Sequence, residues 1–330
     1  TARHFYMKYG VILLCLFLLS GCSSEETDIP QQQVTEREVR VPDDPKFFYC
    51  IATTEGFDAI YRVDIEENTP VMVWRKVGEH AVKLVHTPGI PAFWFLSAFH
   101  YGKSGMFPFV QDVKLYRKNV TDTSPKLLTS FGDGLQLSAA ENIDRQLKIL
   151  LNTLDARTTM YIDQHAFLFD TAGNRLQMTK RSYDLKTDGY PSIMIPQSDY
   201  ATLPIKLSIR NENVLELQKD STTVISIPGV TFVDDAKKNQ AGTHAVIITR
   251  GSKSKISRSL YLLDIRRMKV VLKDEGEGVK NFLLLNDFLI FDNGFGLKSR
   301  THICSLPDLN MRTVPLTGGC SIEYIPAQPE

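Results

Sequence analysis

The chain has no charge excess to offer a partner, since 38 lysines and arginines meet 38 aspartates and glutamates over 330 residues. Global attraction to nucleic acid needs a basic surplus, so no nucleic-acid role is expected. Long apolar runs are missing as well. The longest, Val11 to Leu19, is nine residues, against roughly 20 for a membrane-spanning helix. No stretch keeps helical periodicity for three turns. The Gly-x-Ser-x-Gly elbow, His-Glu-x-x-His and paired-cysteine spacings are all absent, so neither a hydrolase nucleophile nor a zinc set is indicated and no cofactor is expected. Tyr101-Gly102-Lys103-Ser104 imitates the end of a phosphate loop, but Ser97 stands where a glycine must let the backbone wrap the phosphates. His80 and His86 are six apart on an expected strand, which puts them on one side of it. Asp234 and Asp235 are adjacent and so point to opposite faces.

What is present begins with Leu19-Ser20-Gly21-Cys22, behind Lys8 and the short apolar run. A basic start, an apolar core and small residues at the end form the layout of an export signal. These four residues resemble the lipobox of bacterial lipoproteins. The resemblance implies that Cys22 carries diacylglycerol and palmitate as the first residue of the mature chain, with residues 1–21 removed as signal peptide. Met7 is the expected start, and residues 1–6 an upstream extension. Two or more acyl chains hold a protein on a membrane almost permanently. Ser23 in place of aspartate resembles outer-membrane sorting in enterobacterial lipoproteins, while Glu25, Glu26 and Asp28 resemble the acidic tag of surface lipoproteins in Bacteroidota. The expected location is the bacterial cell envelope, most specifically the outer membrane. Residues 22–45 are polar and proline-punctuated, a linker of about 26 Å as a random coil.

From residue 46 to residue 330 short β-rich runs alternate with turns. One phrase recurs as Ile60-Tyr61-Arg62-Val63-Asp64-Ile65, Leu115-Tyr116-Arg117-Lys118-Asn119-Val120 and Leu260-Tyr261-Leu262-Leu263-Asp264-Ile265, with Phe167-Leu168-Phe169-Asp170 as a looser copy. Repetition at this period, four strands to the unit, points to propeller blades. The strand before each phrase falls at Phe48, Phe93, Leu147, Ile205, His244 and Phe288. The expected fold is therefore all-β, a six-bladed β-propeller of four-stranded antiparallel blades, with seven blades as the alternative. It resembles the TolB-type propellers. Inner strands are expected at Ala81–His86, Leu135–Ala139, Ser192–Ile195, Val230–Val233, Val279–Leu285 and Ser321–Ile325. The last would join the first blade, whose own chain starts at its second strand, and close the ring. Processing and lipidation leave Cys50, Cys304 and Cys320. Closure brings the segments of Cys50 and Cys320 together, and either a bridge or two buried thiols satisfies that geometry.

In such blades the second-to-third and fourth-to-first strand connections share one end. Arg250, Lys253, Lys255 and Arg258 of the fifth blade and Lys298 and Arg300 of the sixth are expected there, with no nearby acid. A long loop of the second blade brings Phe99, His100, Tyr101, Lys103, Met106, Phe107 and Phe109 to the same end. Cations attract and aromatic rings stack, so this face suits an anionic or sugar-bearing partner. The reading is a monomeric, non-enzymatic binding module for an envelope protein or cell-surface polymer. The alternative is a polysaccharide-active enzyme, a glycosidase or lyase, with its site in the central channel.

Overall fold

The computed structural model describes residues 45–86, 90–101, 109–132, 135–154, 161–182, 203, 206–210, 213–219, 221–251, 258–274, 278–279, 281–294, 298–318 and 322–323. In chain order the strands are β1 (Phe47–Thr54), β2 (Phe57–Asp64) and β3 (Pro70–Trp74); β4 (His80–His86), β5 (Ala92–Tyr101), β6 (Phe109–Asn119) and β7 (Lys126–Ser130); and β8 (Leu135–Ile143), β9 (Gln146–Leu154), β10 (Tyr161–Phe169) and β11 (Arg175–Ser182). There follow β12 (Lys206–Arg210), β13 (Val214–Lys219) and β14 (Thr222–Pro228); β15 (Val230–Lys238), β16 (His244–Gly251), β17 (Arg258–Asp264) and β18 (Lys269–Asp274); β19 (Phe282–Leu284), β20 (Phe288–Asn293), β21 (Arg300–Ser305) and β22 (Met311–Thr313); and finally β23 (Ile322–Glu323). They form six antiparallel sheets, built from consecutive strands in the manner of β-propeller blades. The fourth sheet has three strands among the described residues. Its expected inner strand, Ser192 to Ile195, lies outside them.

The first sheet runs β23-β1-β2-β3. Tyr49 pairs with Glu323 and Cys50 with Ile322, so one strand from the C-terminal end joins three from the N-terminal end, as the sequence pattern requires. Further bonds strap the same junction. Thr53 donates its backbone N–H to the Thr317 carbonyl at 2.7 Å, Asn68 Nδ2 donates to the Thr313 carbonyl at 2.9 Å, and Arg312 Nη2 donates to the Ile65 carbonyl at 2.7 Å. Cys50 is buried at this seam; Cys320 lies outside the described residues, as does Cys22.

The second strand of each blade explains the apolar runs. Phe48, Cys50 and Ala52 of β1 enter a cluster with the sixth sheet, while Tyr49 and Ile51 enter one with the second. In β5, Phe93 and Phe95 face the first sheet, and Trp94, Leu96 and Ala98 the third. Ala245 and Ile247 of β16 likewise pack toward the fourth sheet, and Val246 and Ile248 toward the sixth. Because successive strand residues point to opposite faces, a strand with a blade on each side is apolar at successive positions along its middle. Each large side chain so buried contributes about 1.5–3 kcal/mol. The outer strands pack on fewer neighbours, and all eight residues of β11 are exposed.

The inner strands are irregular in a repeated way. A register shift falls between Ala81 and Lys83, between Leu137 and Ala139, and between Val233 and Asp235. Each inserts one residue, which bends the strand and turns its side chains. Lys103, Met106 and Phe107 of the long second-blade loop lie outside the described residues. β5 and β6 continue as a hairpin with His100 opposite Val110 and Tyr101 opposite Phe109.

Two tight turns differ in strain. Glu55 and Gly56 join β1 to β2 with φ of 49° and 80°, while Asp144 and Arg145 join β8 to β9 with φ of 50° and 64°. A two-residue hairpin of this type needs positive φ at both positions, which favours glycine at the second. Arg145 is exposed, so Arg145→Gly should raise the urea unfolding midpoint, by about 1 kcal/mol in stability. An unchanged or lower midpoint would show that the turn carries no such strain.

Candidate functional site

Strand reversal puts the start of the first strand, the end of the second, the start of the third and the end of the fourth at one end of every blade. Carboxylates collect there. Asp58 on β2 accepts from Thr53 Oγ1 at 2.7 Å and meets His80 Nδ1 at 3.2 Å. Asp163 on β10 accepts from Ser182 Oγ at 2.7 Å and pairs with Lys180 at 2.8 Å. Asp292, fully buried on β20, accepts from the Asn281 backbone N–H at 2.7 Å and from Asn281 Nδ2 at 3.0 Å.

Glu79, just ahead of β4 and only 5% exposed, is the most heavily bonded. It accepts from Ser97 Oγ at 2.8 Å, Lys114 Nζ at 2.9 Å and Tyr116 OH at 3.1 Å, and also pairs with Lys76. Burial pushes its carboxyl up, but the four donors more than reverse this and hold it at about 2 instead of 4.5. Lys114 also pairs with Asp112 at 2.6 Å, and these hydrogen bonds raise its ammonium above the usual lysine range.

The fifth blade carries the counterpart. Asp234 is the inserted residue of the β15 bulge, its side chain 1% exposed. Its Oδ2 accepts from Arg250 Nε at 2.7 Å and from Arg258 Nε at 2.8 Å. The expectation of cations without a nearby acid is therefore corrected for these two arginines. They anchor on a carboxylate 16 and 24 residues away in sequence, brought to them by the meander of β15, β16 and β17. Asp235 turns instead to Lys237, at 3.5 Å.

The remaining expected site residues are distributed unevenly. Lys298 is exposed, and Arg300 donates Nη1 to the Ser299 carbonyl at 2.8 Å. Val279, at the entry to the sixth blade, donates its backbone N–H to the Arg258 carbonyl at 3.3 Å, so the fifth and sixth blades meet at this corner. Lys253 and Lys255 lie outside the described residues; His100 and Tyr101 are placed by backbone only. Phe99 is 38% exposed. His80 and His86 do not act together: the register shift after Ala81 interrupts the alternation that would put them on one side. His80 turns to Asp58, and burial lowers His86 to about 4. Among the described residues no three His, Cys, Asp or Glu side chains converge as a metal set, and no helix is long and apolar enough to cross a membrane. Neither Asp234 nor Phe232 has a local sequence signal of these contacts; the strand pairing gives them their partners.

The two shifted groups act in separate pH windows. His86 is neutral in the fold, so stability falls as pH drops from 6.5 toward 4, where the unfolded chain takes up the proton first. Glu79 is ionised in the fold, so its contribution is complete above 4.5 and is lost as pH falls toward 2. Each is worth about 3 kcal/mol. Urea titrations across pH should show His86→Phe flattening the upper window and Glu79→Gln the lower one. Identical pH profiles for wild type and both variants would refute these assignments.

No family model matches the sequence, and no curated protein matches it. Solved structures do resemble it. TolB from Acinetobacter baumannii is 11% identical, with 87% of this chain and 68% of that one covered and a TM-score of 0.47. The nidogen/laminin complex gives 10% identity, coverage of 86% and 100%, and a TM-score of 0.44. The dihydro-heme d1 dehydrogenase NirN, in complex with DHE, gives 10%, coverage of 87% and 76%, and 0.41. The likeness is one of strand arrangement and transfers neither a family nor an activity.

Proposed function

We propose that this chain is a lipid-anchored protein of the bacterial envelope, sited at the outer membrane, whose six-bladed propeller binds an envelope protein or an anionic surface polymer without catalysis. The observation that carries the binding role is the corner between the fifth and sixth blades. There Arg250 and Arg258 are fixed on one buried carboxylate, and the Arg258 carbonyl accepts from Val279 at the entry to the sixth blade, which bears Lys298 and Arg300. Fixed cations lose little side-chain freedom on meeting an anion, which favours recognition over a surface of mobile lysines. The anchor rests on the resemblance of Leu19-Ser20-Gly21-Cys22 to a lipobox.

Two linked measurements test this reading. Cys22→Ser should abolish labelling by an alkyne palmitate analogue and move the protein out of the membrane fraction. Crosslinking pull-downs should compare wild type with a variant in which Lys253, Lys255, Lys298 and Arg300 become serine, leaving the arginines on Asp234 intact. The variant is expected to lose the principal partner at least tenfold. Equal recovery from both, or unlabelled and soluble wild type, would overturn the proposal.

A further inference from the structure

The rim between the fourth and fifth sheets carries an open groove. Deeper in this seam Leu215 and Leu217 of β13 meet Ala245 and Ile247 of β16, all fully buried. Further out, β14 and β18 leave a cavity of about 440 Å³ between them, within the range of about 300–1,000 Å³ that small-ligand sites occupy. Consecutive residues of β14, Val224 to Pro228, form one wall, so the groove runs about 13 Å along the strand. Tyr261, Met268, Val270 and two lysines, Lys269 and Lys273, form the other. The walls are apolar and incompletely covered: Val224 is 40% exposed, and Ile225, Met268 and Val270 are only partly buried. Among the described residues the charged side chains that line the groove are the two lysines. Tyr261 and Lys273 have further partners of their own and serve here as walls. Lys269 is exposed at the start of β18, opposite Asp264, whose carboxylate pairs with Arg267 at 3.6 Å.

The edge of β14 argues against a peptide strand as the occupant. Pro228 has no N–H to donate, and Val224 is inserted in the ladder between Thr223, opposite Gln218, and Ile225, opposite Leu217. A proline and a bulge are two of the devices that stop another chain from adding to a sheet edge. The same devices turn away a second copy of this chain. A sugar or a nucleotide needs several directed polar groups, and these walls offer chiefly apolar side chains. What the groove accommodates is one linear apolar chain, lying along β14 on one side and Val270 on the other, with an anionic end to meet Lys269. We infer that it binds a free long-chain fatty acid, with Val224, Ile225, Met268 and Val270 against the acyl chain and Lys269 on the carboxylate. Burial of the chain provides the affinity. The exposed ammonium sets which end of the chain lies at the start of β18, since an ion pair in solvent contributes little. The groove belongs to the side of the fifth blade that faces the fourth, away from the corner with the sixth, so this inference is independent of the docking role proposed above.

The test is photolabelling of the full chain in phosphatidylcholine nanodiscs with a diazirine-bearing palmitate, the labelled peptides being mapped by mass spectrometry. Label should concentrate on β14 and on β17 to β18. Palmitate should compete it away at about threefold lower concentration than hexadecanol, whereas acetate, and phosphatidylglycerol with its two chains, should leave it in place. Val224→Asp should cut labelling at least tenfold without lowering the melting temperature, and Val224→Leu should keep it. Lys269→Gln should remove the preference for palmitate over hexadecanol. Label spread evenly over the blades overturns the inference, as do unchanged labelling in Val224→Asp, hexadecanol competing as well as palmitate in wild type, or displacement by phosphatidylglycerol. Should Val224→Asp lose its fold, Lys269→Gln decides, because that residue is exposed: a preference for palmitate that survives the substitution overturns the inference.

Discussion

Everything in this molecule depends on the junction where the two ends of the domain meet. Thr53 and Thr317, 264 residues apart, share a hydrogen bond, and beside them β23 adds itself to the free edge of β1. Ordering so long a loop costs conformational entropy, but the cost grows only as the logarithm of length. Against it stands a seam of twelve buried residues, from Phe48 to Ile322, that exists only when the junction is closed. Closure also covers the edge of β1, which would otherwise present unpaired backbone to other chains. The seams between the first and second, second and third, fourth and fifth, and fifth and sixth sheets are built alike from apolar residues of facing blades. The first, second, fifth and sixth sheets are thus each a wall for two neighbours.

Apolar seams leave the blade ends to polar chemistry. The ladder of backbone bonds stops there, and buried carboxylates take over as acceptors: Glu79 for Ser97, Lys114 and Tyr116, Asp234 for Arg250 and Arg258, Asp292 for Asn281. A buried charge is costly unless fully bonded, and each of these has donors from other strands or connections of its own blade. The device locks strands together and sets the direction of side chains that stay in solvent. In the fifth blade both donors are guanidinium groups.

The sequence shows most of the architecture because a strand between two blades needs apolar residues at successive positions along its middle. The runs at Phe48, Phe93, Leu147, His244 and Phe288 each lie in the second strand of a blade, and the lone C-terminal run beginning at Ser321 signals the closing strand. Bulges are not legible. Nothing in Ala81-Val82-Lys83 or Val233-Asp234-Asp235 distinguishes an inserted residue from an ordinary alternating one, and the facing of His80, His86 and Asp234 hangs on those insertions. Charge pairing is hidden for a different reason. Arg250 and Arg258 have no acid within a few residues in sequence, and their partner becomes a neighbour only when three strands are laid side by side. The exposure of Phe232 follows from the same register and has no local sequence signal.

Ring closure is tested most directly by hydrogen exchange with mass spectrometry on wild type and Ile322→Asp, which puts a charge into the closing seam at a residue 7% exposed. The account predicts strong protection of β1 in wild type, and in the variant a rise in exchange across β1 and across β19 to β21, the strands that share the seam. Slow exchange of those strands in both proteins, unaffected by the substitution, would contradict it.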